Sequence, residues 1–314
     1  MNVNTMIASH VESDSKASPA VIYQWNAWNN FLLPRLLPNS IRIDANVTDR
    51  ATAVMRQVPE TTRLFAFHID CTNTARFPLE RDQLIHRLRD LGARVINASM
   101  TDISKRRVQQ MCASLGLPTV TTTAAGPPDE LLMIKTDLNS AGLPESRLGY
   151  LNRWRLGVRS PKVITGRGDY RVLPRSEIPA HWWTDETLVI QKYIANRRDA
   201  WYRVYAWFDR IAVFEGICRT LVRRMHRAEQ KRSGHYIEDP IAGATFVGGD
   251  DCAPGTLLDY VFRFRSSHEL AFCSLDVMED NNGDLFIVDL NVTPFCRDSN
   301  AGYVQFLQNG VPPT

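Results

Sequence analysis

Two carboxylates and a side-chain amide near the C-terminus have the types and spacing of a cation site. Asp289 and Asn291 follow an apolar run and are two residues apart, so on an extended strand their side chains leave the same face. The Asn-Gly turn signal within 281–284 predicts an antiparallel hairpin that sets Asp276, on the preceding strand, opposite them. Such oxygen ligands suit Mg²⁺ when phosphate oxygens fill its remaining positions. The alternative interpretation is a hairpin whose acidic residues face solvent.

A second candidate for chemistry is a lysine at the end of a strand. The apolar run 130–135 ends on Lys135 and opens into a loop of small residues that reaches Gly142. One fixed ammonium group, together with backbone N–H groups that approach closely, can hold phosphates. The pattern is not the Walker type, and a lysine at a strand end is otherwise a solvated charge.

Other segments of the chain must position these residues. From residue 20 to residue 97 short apolar strands alternate with helical patterns, which predicts a parallel sheet in an α/β unit. A helix that carries Lys105 is expected to stop at Gly116. The stretch 187–194 is predicted to be a strand, and 201–216 a hairpin in an antiparallel sheet.

Composition narrows the class of protein. The chain has 314 residues, 44% of them hydrophobic, which is enough for two or three packed domains. A formal net charge of +3 does not by itself indicate nucleic acid, which is not expected as a partner. Six cysteines without a CxxC pair predict reduced thiols. With no signal peptide and no apolar run of membrane-spanning length, a cytoplasmic location without membrane contact is predicted.

A densely basic run, 219–232, lies between the predicted hairpin and the acidic residues. As an isolated feature it is typical of a solvated helix face. Beside a phosphate site its cations would instead close over the phosphates and screen them from water. RNA binding is a further interpretation of this run, but Asp276 and Asp289 would repel a nucleic-acid backbone.

Taken in order, these pieces resemble the ATP-grasp superfamily over residues 97 to 294. The resemblance rests on the order and spacing of several short motifs rather than on any one of them. The first motifs are the helix of Lys105 before Gly-Leu-Pro-Thr, and Met-Ile-Lys ending at Lys135 with its loop to Gly142. Val-Ile-Gln-Lys-Tyr-Ile, ending at Ile194, and Arg203 followed by Val come next. The last are Leu-Asp at Asp276 and Val-Asp-Leu-Asn-Val-Thr-Pro at 288–294.

The resemblance implies an α/β and α+β architecture, the ATP-grasp fold, in which an N-terminal α/β domain precedes two α+β lobes that clamp ATP. The predicted divisions are a mobile tail at 1–18, then domains at 19–103, 104–194 and 195–314. The implied activity joins a carboxylate, activated as an acyl phosphate, to an amine. The implied cofactors are ATP and Mg²⁺, with Mn²⁺ as a substitute, and the implied partners are small carboxylate and amine substrates, amino acids or short peptides. A homodimer is common among relatives.

Site residues follow from the resemblance by position. Those implied to bind the nucleotide are Lys105, Lys135 and Gly142 for the phosphates, Gln191, Lys192, Tyr193 and Ile194 for adenine, and Asp199 for the ribose. Those implied to bind the metal are Asp276, Asp289 and Asn291.

This chain departs from the superfamily pattern at three positions. Gln191 opens the adenine hinge where many relatives have Glu, and Asp289 stands where Glu is commoner. Ser274 occupies the position at which many ligases of the superfamily carry an arginine. Arg203 or Arg219 is predicted to take over the stabilisation of negative charge. Arg297 is predicted to hold a substrate carboxylate.

Two other functions are compatible with the same motifs. A kinase that phosphorylates a small-molecule hydroxyl would use the same ATP cradle. A nucleotide-binding or RNA-binding module without turnover would use the basic run, and its affinity for nucleic acid would depend steeply on salt.

Overall fold

The structure is a computed structural model that describes residues 19–26, 30–158, 170–222, 230–231, 235–238, 245–246, 255–296 and 301–310. Arg297 and most of the basic run lie outside the described residues. The described strands are β1 (Ala20–Trp25), β2 (Ile41–Asp44), β3 (Leu64–Ile69), β4 (Arg94–Ile96), β5 (Leu131–Thr136), β6 (Arg171–Pro174), β7 (Leu188–Lys192), β8 (Ala200–Trp207), β9 (Arg210–Ile217), β10 (Gln230–Lys231), β11 (His235–Glu238), β12 (Thr245–Phe246), β13 (Phe272–Glu279) and β14 (Leu285–Asn291).

The described helices are α1 (Leu32–Leu36), α2 (Ala51–Met55), α3 (Arg81–Asp90), α4 (Lys105–Ser114), α5 (Leu143–Ser146), α6 (Tyr150–Arg155), α7 (Gly255–Ser267) and α8 (Ala301–Gln308). Ser104 caps α4, because its side chain accepts a hydrogen bond from the backbone N–H of Arg107. Among the described residues, no helix combines the length and the apolar character needed to cross a bilayer.

The N-terminal sheet is parallel, as the alternation of strands and helices predicts. Its described strands lie in the order β2-β1-β3-β4, and all three pairings are parallel. One face packs against α2 and α3 around Tyr23, Phe65 and Leu84. The other face packs against α1, α8 and the aromatic residues of β8 and β9. This sheet is therefore covered on both sides, as a parallel sheet requires.

A histidine is buried without hydrogen-bond partners in this sheet. His68 on β3 is fully buried, and neither ring nitrogen has a partner among the described residues. Its ring packs edge-on against Phe31, with 4.9 Å between centroids. Burial lowers the pKa of His68 from 6.5 to about 3, and Arg42 adds to the decrease. The imidazole is therefore neutral at physiological pH.

We expect this burial to make the protein acid-sensitive. The folded pKa lies below the unfolded one, so the unfolded state binds more protons in the window between them and stability falls as pH falls through that window. From about pH 7.5 to about pH 5 the contribution is a loss of roughly 2 kcal/mol. Urea unfolding at both pH values should show a smaller loss in His68→Leu, whereas the exposed control His86→Leu should behave like the wild type. An equal pH dependence in all three proteins would contradict this account.

A small antiparallel sheet with the order β6-β5-β7 follows the N-terminal sheet in the chain. Leu132 and Ile134 of β5 are buried in a separate apolar cluster. Side chains alternate along a strand, so Met133 and Lys135 face the opposite side. The predicted strand therefore delivers Lys135 to the face that does not carry the local core.

The largest sheet is antiparallel and has the order β12-β11-β9-β8-β13-β14, with β10 also paired to β9. The predicted hairpins at β8–β9 and β13–β14 are both present. Helices α4 and α7 cover one face and share a core with the strands, which includes Met111, Phe264 and Leu275. Gln109 of α4 also donates to the carbonyl of Ile287 on β14 at 2.8 Å. Thus α4, which carries Lys105, packs on the large sheet.

Candidate functional site

The acidic hairpin forms as its turn sequence predicts. Asp276 on β13 lies directly opposite Asp289 on β14, and Ser274 lies opposite Asn291. Gly283 in the connecting turn has φ +86, a conformation that favours glycine. A register shift follows Asp276, which marks a β-bulge next to the paired acids. The hairpin therefore brings the three predicted metal residues to one end of two neighbouring strands.

The oxygens of these three side chains are engaged differently. Asp276 accepts two hydrogen bonds from Arg203, Nε to Oδ1 at 2.7 Å and Nη2 to Oδ2 at 2.8 Å. Asn291 Oδ1 accepts from the backbone N–H of Thr293 at 2.7 Å. Asp289 Oδ1 is buried and has no hydrogen-bond partner among the described residues. A buried carboxylate oxygen without a protein partner is costly, and it is suited to a ligand.

These residues fit Mg²⁺ only if the nucleotide supplies further ligands. The described residues contain no cluster of three or more His, Cys, Asp or Glu side chains that could hold a metal. Two carboxylates and one amide oxygen are hard ligands of the right type. Mg²⁺ is usually held by one or two carboxylates together with substrate phosphates and water. The donor set is therefore consistent with a metal that binds with its nucleotide.

Two buried lysines approach the hairpin. Lys135 is 7% exposed, and its Nζ lies 3.4 Å from the carbonyl oxygen of Val288, next to Asp289. Burial lowers the pKa of Lys135 to about 8, and Lys105 adds to the decrease, whereas Asp289 and Asp276 act in the opposite direction. Lys105 is 1% exposed and donates from Nζ to the carbonyl of Leu138 at 2.8 Å.

Lys105 thus holds the beginning of the loop that follows β5. In this loop Ser140, Ala141 and Gly142 all have positive φ values of 47, 57 and 74. Consecutive residues in this region are unusual outside glycine. The predicted phosphate loop is a tightly bent segment, and Lys105 donates to the carbonyl of Leu138 at its beginning.

A cleft lies between the small sheet and the acidic hairpin. It encloses about 700 Å³ of empty space, counting its open mouth. The predicted site residues that line it are Lys135, Gln191, Lys192, Tyr193, Ile194, Asp276 and Asp289. The lining residues that sequence reasoning did not identify are Val120, Met133, Tyr170, Trp201, Leu221, Val222, Met278 and Val288.

Periodicity could have identified several of the missed residues. Trp201 lies two residues before Arg203 on β8, and Met278 lies two residues after Asp276 on β13, so each shares a face with a predicted site residue. Met133 has the same relation to Lys135. The missed residues are mainly apolar, and together they give the cleft a wall suited to a flat aromatic base.

The hinge segment between the small and the large sheet is fixed by its backbone. Lys192 N–H donates to the carbonyl of Val120 at 2.8 Å, and Tyr193 N–H donates to the carbonyl of Leu131 at 3.2 Å. Gln191 is 2% exposed, and its Nε2 has no hydrogen-bond partner among the described residues. The lining of the cleft therefore includes a further buried polar atom, besides Asp289 Oδ1, that a ligand could satisfy.

Replacing Gln191 by Met is expected to separate stability from nucleotide affinity. Met keeps the length of the side chain and removes a buried donor that has no partner. Such an unpaired donor destabilises the folded protein by about 1–3 kcal/mol. The free protein should therefore become more stable, while a nucleotide that accepts a hydrogen bond from Nε2 should bind about tenfold more weakly. Urea unfolding and calorimetric titration with ADP measure the two quantities. If the variant is less stable and binds ADP with unchanged affinity, the assignment of Nε2 to the ligand is refuted.

The remaining predicted site residues do not line the cleft. Asp199 has φ +52, and its carbonyl accepts from the N–H of Cys218 at 3.0 Å, so it shapes the segment before β8. Arg219 is exposed beyond the end of β9. Arg203 lies beside Asp276, directly opposite it on the neighbouring strand β8, as its ion-pair partner. Lys105, Gly142 and Asn291 are also not among the residues that line the cleft, and the functional roles of all these residues stay predictions.

The chain matches no protein-family model and no curated protein sequence. Two solved structures share its overall shape. The ATP-grasp ligase PsnB complexed with minimal precursor superposes with a TM-score of 0.53 at 12% identity, covering 90% of this chain and 94% of that chain. PsnB complexed with a phosphomimetic variant of minimal precursor, Mg and ADP gives a TM-score of 0.50 at 10% identity, covering 92% and 97%. The chain therefore has an ATP-grasp fold, as the order of its motifs predicted.

Proposed function

We propose that this chain is an ATP-dependent ligase that activates a carboxylate as an acyl phosphate and joins it to an amine, with release of ADP and phosphate. The single observation that carries the proposal is the composition of the cleft. Its lining combines the charged residues Lys135, Asp276 and Asp289 with apolar side chains and with the hinge at 191–194. An apolar wall suits the base of ATP, and clustered charges suit its phosphates. The fold is also that of a ligase whose structure holds Mg and ADP.

The proposed nucleotide residues act mainly by position and charge. Lys135 offers an ammonium beside the acidic hairpin, while Lys105 keeps the loop after β5 in its bent form. Asp276, Asp289 and Asn291 would hold Mg²⁺, or Mn²⁺, together with phosphate oxygens. When bound, this ion neutralises charge on the transferred phosphoryl group.

Arg203 has a distinct part in this proposal. Its bidentate pair with Asp276 is partly buried, with 28% and 20% of the two side chains exposed. The guanidinium offsets the charge of one metal carboxylate and fixes its orientation. It lies at the acidic end of the cleft, where it is a candidate to stabilise negative charge as the amine attacks. Arg219 stays the alternative candidate for that stabilisation, and Arg297 stays a candidate to hold a substrate carboxylate.

The proposal is tested by ADP release from Mg·ATP against amino acids and small carboxylates, offered singly and in pairs, with Asp289→Ala as the inactive control. Turnover that needs a pair and disappears in the variant supports the ligase. ADP formation with one hydroxylated compound alone indicates the alternative kinase, and nucleotide binding without turnover indicates a binding module. Transfer of ¹⁸O from a labelled carboxylate to the released phosphate identifies the acyl phosphate. A cytoplasmic location and a homodimer stay predictions.

A further inference from the structure

The N-terminal sheet has a topological switch point between β1 and β3. From β1 the chain first adds β2 on one side and then returns to add β3 on the other side. In open parallel sheets ligands bind outside the carboxyl ends of the strands at such a point. Asn26 directly follows β1 and Asp70 directly follows β3, so both residues lie at this end.

Two buried carboxylates meet at the switch point. Asp70, 8% exposed, accepts from Asn26 Nδ2 at 3.1 Å and from Thr293 Oγ1 at 3.1 Å. Glu145, 1% exposed, comes from α5 and accepts from the backbone N–H of Thr72 through Oε1 at 2.6 Å. The Thr72 contact places Glu145 beside the segment that carries Asp70. Burial raises the pKa of Asp70 to about 6, and the charge of Glu145 adds to this rise.

Glu145 has one oxygen that the fold does not use. Its Oε2 is buried and has no hydrogen-bond partner among the described residues. An unpaired buried carboxylate oxygen is destabilising, more so with a second carboxylate nearby. Arg147, a neighbouring cation, is exposed and donates to Asn26 Oδ1 at 2.6 Å. A small cation with several N–H donors would satisfy Glu145 Oε2 and offset both carboxylates.

Thr293 connects the switch point to the acidic hairpin. Thr293 donates from Oγ1 to Asp70, and its backbone N–H donates to Oδ1 of Asn291, a proposed metal residue, at 2.7 Å. Asn139, in the bent loop after β5, also donates from its backbone N–H to Thr72 Oγ1 at 2.8 Å. A group held by Asp70 and Glu145 is thus linked through Thr293 to a proposed metal residue and through Thr72 to the proposed phosphate loop.

We infer that Glu145 and Asp70 form a binding site for a primary ammonium group, which the proposed function assigns to the amine substrate. The assignment to the amine substrate rests on that function, whereas the ammonium site itself rests only on the two carboxylates. An ammonium has three donors and a compact charge, which matches the free oxygen of Glu145 and the remaining acceptor positions of Asp70.

Binding of methylammonium tests the site without turnover. The melting temperature is measured with increasing methylammonium chloride, while tetramethylammonium chloride, which has no N–H donor, keeps the ionic strength constant. A saturable rise is expected for the wild type, because a ligand of the folded state raises its stability. Glu145→Gln keeps the Oε1 acceptor for Thr72, places N–H donors at the ligand position and should weaken the apparent affinity by about tenfold or more.

Glu80→Gln is the matched control, because Glu80 also accepts a backbone N–H, from Ala51 at 2.9 Å, whereas Glu145 accepts that of Thr72 next to the segment of Asp70. Glu80→Gln should keep the wild-type rise in melting temperature with methylammonium. Asp70→Asn should weaken this rise as Glu145→Gln does. No saturable rise in the wild type, or a full rise in Glu145→Gln, would overturn the inference.

Kinetics separate this inference from the proposed function. With a substrate pair found in the ADP assay, Glu145→Gln should raise KM for the amine about tenfold. Hydroxylamine, which is largely uncharged at neutral pH, should still support ADP release in the variant. An unchanged KM for the amine overturns the assignment to the substrate. Methylammonium binding that depends on Glu145, in a protein without turnover on any pair, leaves the ammonium site standing and rejects the ligase function.

Discussion

Asp289→Asn is expected to lower ATP-dependent turnover by about 10²–10³-fold, the cost of removing one group that stabilises transition-state charge. The substitution keeps the shape of the side chain but removes the charge that faces Lys135 and would bind Mg²⁺. It removes the charge while leaving a polar atom of similar size at the buried position that lacks a partner, so the free protein should lose little stability. The measurements are ADP release at saturating Mg·ATP and urea unfolding.

Asp284→Asn is the matched control for this prediction, because it makes the same change on an exposed residue at the tip of the same hairpin. Its turnover should stay within about twofold of the wild type, as for most surface substitutions. Equal activity in Asp289→Asn and Asp284→Asn would exclude a metal role for Asp289. A loss of stability that parallels the loss of activity would make Asp289 a structural residue.

Phe264→Ala is expected to destabilise the protein by about 3–5 kcal/mol, the usual cost of truncating a fully buried phenylalanine. Phe264 is 0% exposed on α7, in the core that supports β13 and β14 from below. The cavity would therefore lie beneath the strands that carry Asp276 and Asp289. Urea unfolding measures the free energy, and the midpoint should fall without a large change in slope.

Asp259→Ala tests the same helix without disturbing the core. Asp259 is 59% exposed and pairs with Arg263 at 3.6 Å on the surface, so its loss should cost less than about 1 kcal/mol. A cost below about 1 kcal/mol for Phe264→Ala as well would mean that α7 does not pack as described.

The parts of the site that the sequence predicted are those encoded by short-range rules. The Asn-Gly turn predicted the hairpin, and the spacing of Asp289 and Asn291 predicted that they share a face. The register of β13 and β14 then places Asp276 opposite Asp289 without further information. In the same way the alternation of strands and helices before residue 97 predicted the parallel sheet.

The parts that the sequence did not predict depend on contacts between distant segments. Arg203 and Asp276 are 73 residues apart, and their pairing follows from the register of β8 against β13. Thr72 and Glu145 are also 73 residues apart, and nothing local indicates that α5 docks at the end of β3. The hydrogen bonds that join Lys105 to Leu138 and Cys218 to Asp199 are likewise tertiary, because they arise from where the helix and the strands pack.

Calorimetric titration of ADP, with and without Mg²⁺, tests the central claim most directly, because the account requires that this cleft binds a nucleotide together with a metal. We expect one molecule of Mg·ADP to bind per chain, with affinity at least about tenfold weaker without Mg²⁺ or in Asp289→Asn. Lys135→Met should show a similar loss, while Asp284→Asn should bind as the wild type does. Absence of binding, or binding of equal strength in the wild type, Asp289→Asn and Lys135→Met, would contradict the account.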